Sequence, residues 1–174
     1  MNLCTLHLFD VVFAAHDTTQ LEGVRFPRLR CLVLRHCRGA EVLLDQLAVA
    51  GCPSLTHLMM MQSTARSALS VSLDRFLLSF SGLRGLEIAL PKSRSSSGLP
   101  DIASICHHRD TLRRLQVLNE FKWGSKVYSV EDLAKLCRVY NNLECITISV
   151  PDIVHDDSSA GWRTENLERY VVSR

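Results

Sequence analysis

The amino-acid sequence predicts an α/β solenoid. Six or seven short parallel strands form a curved sheet on the concave side, and helices cover the convex side. Three observations carry that expectation. A pattern of the form L-x-x-L-x-L recurs along the whole chain, its copies stand at nearly constant spacing, and the runs between them carry apolar residues at helical intervals. A unit of strand, turn, helix and turn cannot bury its own apolar face, whereas stacked units share one continuous core.

The strand segments read in order as "LCTLHLFDV" from Leu3, "LRCLVLRHC" from Leu29, "LTHLMMMQS" from Leu55, "LRGLEIALP" from Leu83, "LRRLQVLNE" from Leu112, "LECITISVP" from Leu143 and the shorter "LERYVVSR" from Leu167. Successive first leucines are 26, 26, 28, 29, 31 and 24 residues apart. The second and third key positions are Leu6 and Leu8, Leu32 and Leu34, Leu58 and Met60, Leu86 and Ile88, Leu115 and Val117, Ile146 and Ile148, and Tyr170 and Val172. All are apolar and two residues apart, so in a strand each pair shares one face. Met60 takes the place of a core leucine of similar volume.

The intervening helices follow from spacing and stop signals. "GAEVLLDQLAVAGCPSL" offers Val42, Leu43, Leu47 and Val49 or Ala50, and closes with Gly51 and Pro53. "SLDRFLLSFSGL" carries Leu73, Phe76, Leu77 and Phe80, and "GLPDIASICHHRDTL" carries Ile102, Ile105 and Cys106. "SVEDLAKLCRVYNNL" carries Val130, Leu133, Leu136, Cys137 and Tyr140, with Ser129 as N-cap before an acidic first turn. "PKSRSSSGLP" (Pro91 to Pro100) reads as a Ser-rich loop and "FKWGSKVYS" (Phe121 to Ser129) as a longer loop or small hairpin. "PDIVHDDSSAGWRTEN" reads as a turn with at most a short helix.

"FPRLRCLVLRHC" (Phe26 to Cys37) and "GCPSLTHLMM" (Gly51 to Met60) resemble leucine-rich repeats of the cysteine-containing, ribonuclease-inhibitor-like type. The marks are Pro27 and Pro53 two residues before the first leucine, Cys52 beside Pro53, and Cys37 at the ninth position. The pattern is similar to the repeat region of fungal-type F-box proteins. The resemblance implies a horseshoe or arc that grips a protein on its concave face. It further implies a substrate receptor of an F-box-type ubiquitin ligase, which holds its Skp-family adaptor only through an F-box; the alternative is a repeat scaffold or inhibitor-like binding protein with no ubiquitin link. The chain has no F-box: "GLPDIASI" from Gly98 falls in phase as the fourth unit's helix. The ninth position is otherwise Val11, Ser63, Pro91, Glu120 and Pro151, so irregular turns are expected there.

One leucine-rich-repeat domain is expected over residues 1–174, with 47% apolar and 22% charged residues. The first copy begins at residue 3 and the last stops just after its strand, neither with a polar cap. The expectation is a fragment of a longer protein with an exposed core edge near Leu6 and Leu8. A net charge of +2 makes no case for nucleic acid, although Arg25, Arg28, Arg30, Arg35 and Arg38 crowd the second unit. No signal peptide and no membrane-length apolar run is present, and seven scattered cysteines read as reduced thiols. Cytoplasmic or nuclear location is expected.

In the repeat frame the residues between the key leucines line the concave sheet face. Phe9, Val33, Met59, Met61, Ala89 and Leu118 make an apolar patch there, surrounded or interrupted by His7, Arg35, His57, Glu87, Arg114 and Gln116. The expected partner-binding set is Phe9, Val33, Arg35, His57, Met59, Met61, Glu87, Arg114, Gln116 and Leu118, because rimmed apolar patches mark protein interfaces and methionine adapts to varied surfaces. A neighbouring domain or tail would cover the same patch. No catalytic, metal or cofactor site is expected. In "CHHR" (Cys106 to Arg109) adjacent helical residues diverge, which places Cys106 in the core and His107 and His108 on the surface or near the helix end. "HDD" (His155 to Asp157) reads as turn chemistry, and "GSK" at Gly124 lacks phosphate-loop spacing. Cys31 and Cys145 share the face with His57, without any sign of an activated thiolate.

Overall fold

Each of the leucine-patterned segments forms a strand. The structure, a computed structural model, describes residues 3–14, 26–62, 67–90, 99–119, 128–148 and 170–173. The elements in chain order are β1 (Thr5–Phe9), β2 (Cys31–Arg35), α1 (Ala40–Ala50), β3 (His57–Met61), α2 (Ser67–Leu78), β4 (Gly85–Leu90), α3 (Ile102–Cys106), β5 (Arg114–Asn119), α4 (Val130–Val139), β6 (Cys145–Ile148) and β7 (Tyr170–Ser173). Most of the Ser-rich segment, the 121–127 stretch with Gly124, and the region holding His155 and Asp157 lie outside the described residues. Among the described residues no helix is long and apolar enough to cross a membrane.

The strands form one seven-stranded sheet in sequence order, and β1 to β6 are all parallel. Their register aligns Leu6, Leu32, Leu58, Leu86, Leu115 and Ile146, and two residues on Leu8, Leu34, Met60, Ile88, Val117 and Ile148. From β2 to β6 these residues are buried, and Met60 is fully so. At β1, Leu6 and Leu8 are only half-buried. At the start of the strands one hydrogen-bond arrangement recurs. The carbonyls of Cys4, Arg30, Thr56, Arg84 and Arg113 each accept from two consecutive N–H groups of the next strand.

β7 corrects the expectation that all the strands run parallel: it pairs antiparallel with β6, Ile148 facing Tyr170 and Ile146 facing Val172. Side-chain alternation has a period of two in either direction. The spacing of Tyr170 and Val172 therefore matches the β6 pair whichever way the strand runs.

The helices pack on the face that carries the aligned leucines. In α1 the buried residues are Ala40, Leu43, Leu44 and Leu47, an i, i+3, i+4, i+7 stripe. Leu43 and Leu47 are buried as expected, but Val49 is 89% exposed and Val42 only half-buried, so Ala40 and Leu44 complete the stripe in their place. Gly51 ends the helix with φ 78° and donates its N–H to the Leu47 carbonyl, a left-handed conformation that glycine adopts without strain. In α2, Leu73, Phe76 and Leu77 are buried as expected, with Phe80 just beyond the helix. Asp101 caps α3 by accepting from the Ala103 N–H at 2.8 Å. Ser129 and Asp132 form a reciprocal capping box at α4, with bonds of 3.1 and 3.0 Å. Leu136 and Tyr140 of this segment are buried, whereas Cys137, expected on the apolar stripe, is exposed.

Polar ties join successive helices. Asp45 of α1 accepts from Ser72 and Arg75 of α2, and Asp74 of α2 accepts from the Ser104 hydroxyl of α3 and the Asp101 N–H. On the strand side, the Cys37 thiol lies 3.5 Å from the Leu8 carbonyl and 3.4 Å from that of Arg35, so it closes the turn after β2. Val11 replaces cysteine in the preceding turn, yet the two turns are alike. Asp10 and His36 hold left-handed φ values of 54° and 55° at matching positions. The irregularity expected from Val11 is therefore absent.

Met60 is the most direct probe of the core. Met60→Ala is expected to lower unfolding free energy by about 2–5 kcal/mol in urea titration. Met60→Leu, which keeps the volume, costs less than about 1.5 kcal/mol.

Candidate recognition face

The strand residues between the core positions point away from the helices. Three rows cross the sheet. The first is Thr5, Cys31, His57, Gly85, Arg114 and Cys145; the second is His7, Val33, Met59, Glu87, Gln116 and Thr147; the third is Phe9, Arg35, Met61, Ala89 and Leu118. The register brings together all ten residues expected to bind a partner. Their exposures differ. Phe9 is 62% exposed, His57, Arg35 and Arg114 are exposed, and Met59, Met61, Glu87, Gln116 and Leu118 are half-buried. Val33 is buried, which removes it from the contact surface. It is short and stands between the longer His7 and Met59 in the register.

Arg35 reaches from the third row of β2 to Met59 on β3, its Nη2 donating to the thioether sulfur at 3.4 Å. Among the described residues Arg35 and Arg114 have no carboxylate partner and Glu87 has no cationic one. The face therefore offers charges that ion pairs have not neutralised. Phe9 makes an edge-to-face contact with His36 at 5.7 Å.

His57 is positioned from two sides. The Thr56 hydroxyl lies 3.0 Å from its Nδ1 and also 3.0 Å from the Arg30 carbonyl. The ring leans over β4, where a Cβ on Gly85 would lie 2.8 Å from the imidazole Cδ2. Thr56 and Gly85 are thus supporting residues that the pattern of leucines passes over. The available signal was Gly85 itself, since a lone glycine within a strand marks a close approach.

Cys31 stands opposite His57 in the register, but the imidazole Nδ1 is engaged by Thr56, and no hydrogen bond joins the thiol to the ring. Burial raises the Cys31 thiol above its ordinary pKa, which favours the neutral thiol over the nucleophile. Among the described residues no three His, Cys, Asp or Glu side chains gather where they could hold one metal ion.

The "CHHR" segment departs from expectation. Cys106 is half-buried and His107 exposed, but His108 is buried, with a relative exposure of 2%. α3 ends at Cys106, and the turns that follow swing His108 inward against Phe80, with ring centroids 5.1 Å apart; the ring of His107 lies 5.2 Å away. Neither ring nitrogen of His108 has a hydrogen-bond partner. Burial, and secondarily the charge of His107, push its pKa down to about 4; the Leu77 backbone opposes this weakly without reaching hydrogen-bond geometry.

Comparison with models of known protein families, with curated proteins and with solved structures gives no match to the chain.

His108 sets an acid limit on stability. The unfolded chain binds this proton near pH 6.5 and the folded chain only near pH 4, so stability is complete above about 6.5 and falls as pH drops toward 4. Integrated over that window, the loss at this site is about 3 kcal/mol. Urea titrations between pH 4 and 7 are expected to show the slope, and His108→Phe to flatten it.

Proposed function

We propose that the chain is a leucine-rich-repeat arc whose sheet face opposite the described helices is a noncatalytic protein-recognition surface. One observation carries this reading. Six in-register parallel strands present a single face on which Phe9, Met59, Met61 and Leu118 are interleaved with Arg35, His57, Glu87, Arg114 and Gln116. Apolar anchors with unneutralised charges between them suit a protein partner, because the apolar area supplies affinity and the charges select the partner. Thioethers add adaptability, since methionine fits irregular surfaces at small cost.

Leucine-rich architecture is favoured by the L-x-x-L-x-L spacing, by the Cys37 thiol closing its turn, and by the recurrent bond pattern at the strand starts. The link to ubiquitin ligases rests on sequence resemblance to F-box receptor repeats. In that setting the chain would grip substrate while an F-box elsewhere holds the Skp-family adaptor.

Proximity labelling in cells tests the recognition face. Met59→Glu/Met61→Glu is expected to keep its circular dichroism spectrum and melting temperature, because both side chains lie outside the core, and to lose most captured proteins. An unchanged capture set would show that the face is not the binding surface.

A further inference from the structure

Strand alternation divides three consecutive methionines into two chemical environments. Met60 has no solvent exposure, whereas Met59 and Met61 stand half-buried on the face opposite the described helices. Oxidation of a thioether follows access, so the partly exposed Met59 and Met61 are open to peroxide and the fully buried Met60 is not. We propose that Met59 and Met61 form a reversible oxidation site for hydrogen peroxide, whose conversion to sulfoxides turns the centre of this face from apolar to polar while the core stays intact.

The chemistry balances without further reagents. The thioether sulfur attacks one peroxide oxygen, an S–O bond forms as the O–O bond breaks, and the departing hydroxide takes up the remaining proton as water. Sulfur loses two electrons and peroxide gains them. A thiol-dependent methionine sulfoxide reductase reverses the step, the oxygen leaving as water and two thiols becoming a disulfide. At Met59 the product has a ready partner. Arg35 already donates to the sulfur at 3.4 Å, and a sulfoxide oxygen is a stronger acceptor in the same place. The nearby Cys31 competes poorly at neutral pH, because burial keeps its thiol protonated, while a thioether needs no deprotonation.

Selective oxidation rests on the alternation of β3; its consequence for binding rests on the recognition reading above. The experiment separates the two. The full chain is treated with hydrogen peroxide and then with dithiothreitol, which reverses sulfenic acids and disulfides but not sulfoxides. The tryptic peptide spanning Gly39 to Arg66 is then sequenced by mass spectrometry. Met59 and Met61 are expected to oxidise roughly tenfold or more faster than Met60. In urea the three rates converge, the melting temperature of the oxidised folded chain stays within a few degrees, and the reductase restores the original mass. Equal rates in the folded chain, or unfolding on oxidation of Met59 and Met61, would overturn the proposal. Proximity labelling then compares oxidised chain with Met59→Glu/Met61→Glu. If both lose the same proteins, the switch is supported. If only the glutamate pair loses them, the switch is overturned while recognition stands; if neither does, both are overturned.

Discussion

The in-register parallel pairing of β1 to β6 is the constraint from which the rest of the structure follows. Because the register aligns Leu32, Leu58, Leu86, Leu115 and Ile146, and then Leu34, Met60, Ile88, Val117 and Ile148, every apolar side chain of the pattern meets the helices on one side. A slip of one residue in any strand would send its leucines to the open face and bury residues such as Arg35 or Glu87. Burying an unpaired charge costs far more than a lost apolar contact, so the register is held from both sides. The paired N–H groups that converge on Cys4, Arg30, Thr56, Arg84 and Arg113 start each new strand at the same offset. The helices add ties of their own, through Asp45 and Asp74.

That constraint also determines what the open face can be. Its residues are chosen by the alternation, not by a requirement to pack, and they show chemistry that a core would not tolerate. Arg35 rests on a thioether instead of a carboxylate, and Glu87 and Arg114 have no ion pair among the described residues. His57 lies across β4 only because Gly85 leaves the space, with Thr56 holding its Nδ1. On the proposed reading, such features suit a surface that meets a protein partner.

Most of the architecture was legible because period two and the spacing of leucines are strong signals. Glycine and proline marked the end of α1, and Ser129 marked the start of α4. The failures share a cause: sequence periodicity reports which side a residue faces but not what covers it or which way a strand runs. β7 has the expected spacing and the opposite direction. Val33 lies on the open face and is nonetheless buried, between the longer His7 and Met59 in the register. His108 does lie near a helix end, since α3 stops at Cys106, but the turns that follow carry its ring into the core and not to the surface. In α1 the expected Leu43 and Leu47 are buried, but packing against α2 and the sheet completes their stripe with Ala40 and Leu44 in place of Val42 and Val49.

The division of Met59, Met60 and Met61 between two faces is the sharpest consequence of the register, and methyl NMR reads it directly. With carbon-13 in the methionine methyls and assignment by single Met→Leu variants, a soluble gadolinium chelate broadens each methyl according to its distance from solvent. The register requires strong broadening at Met59 and Met61 and an unaffected signal from Met60. Equal broadening of Met60 and its neighbours, or protection of Met59 and Met61 in its place, would contradict the register and with it the account of the face.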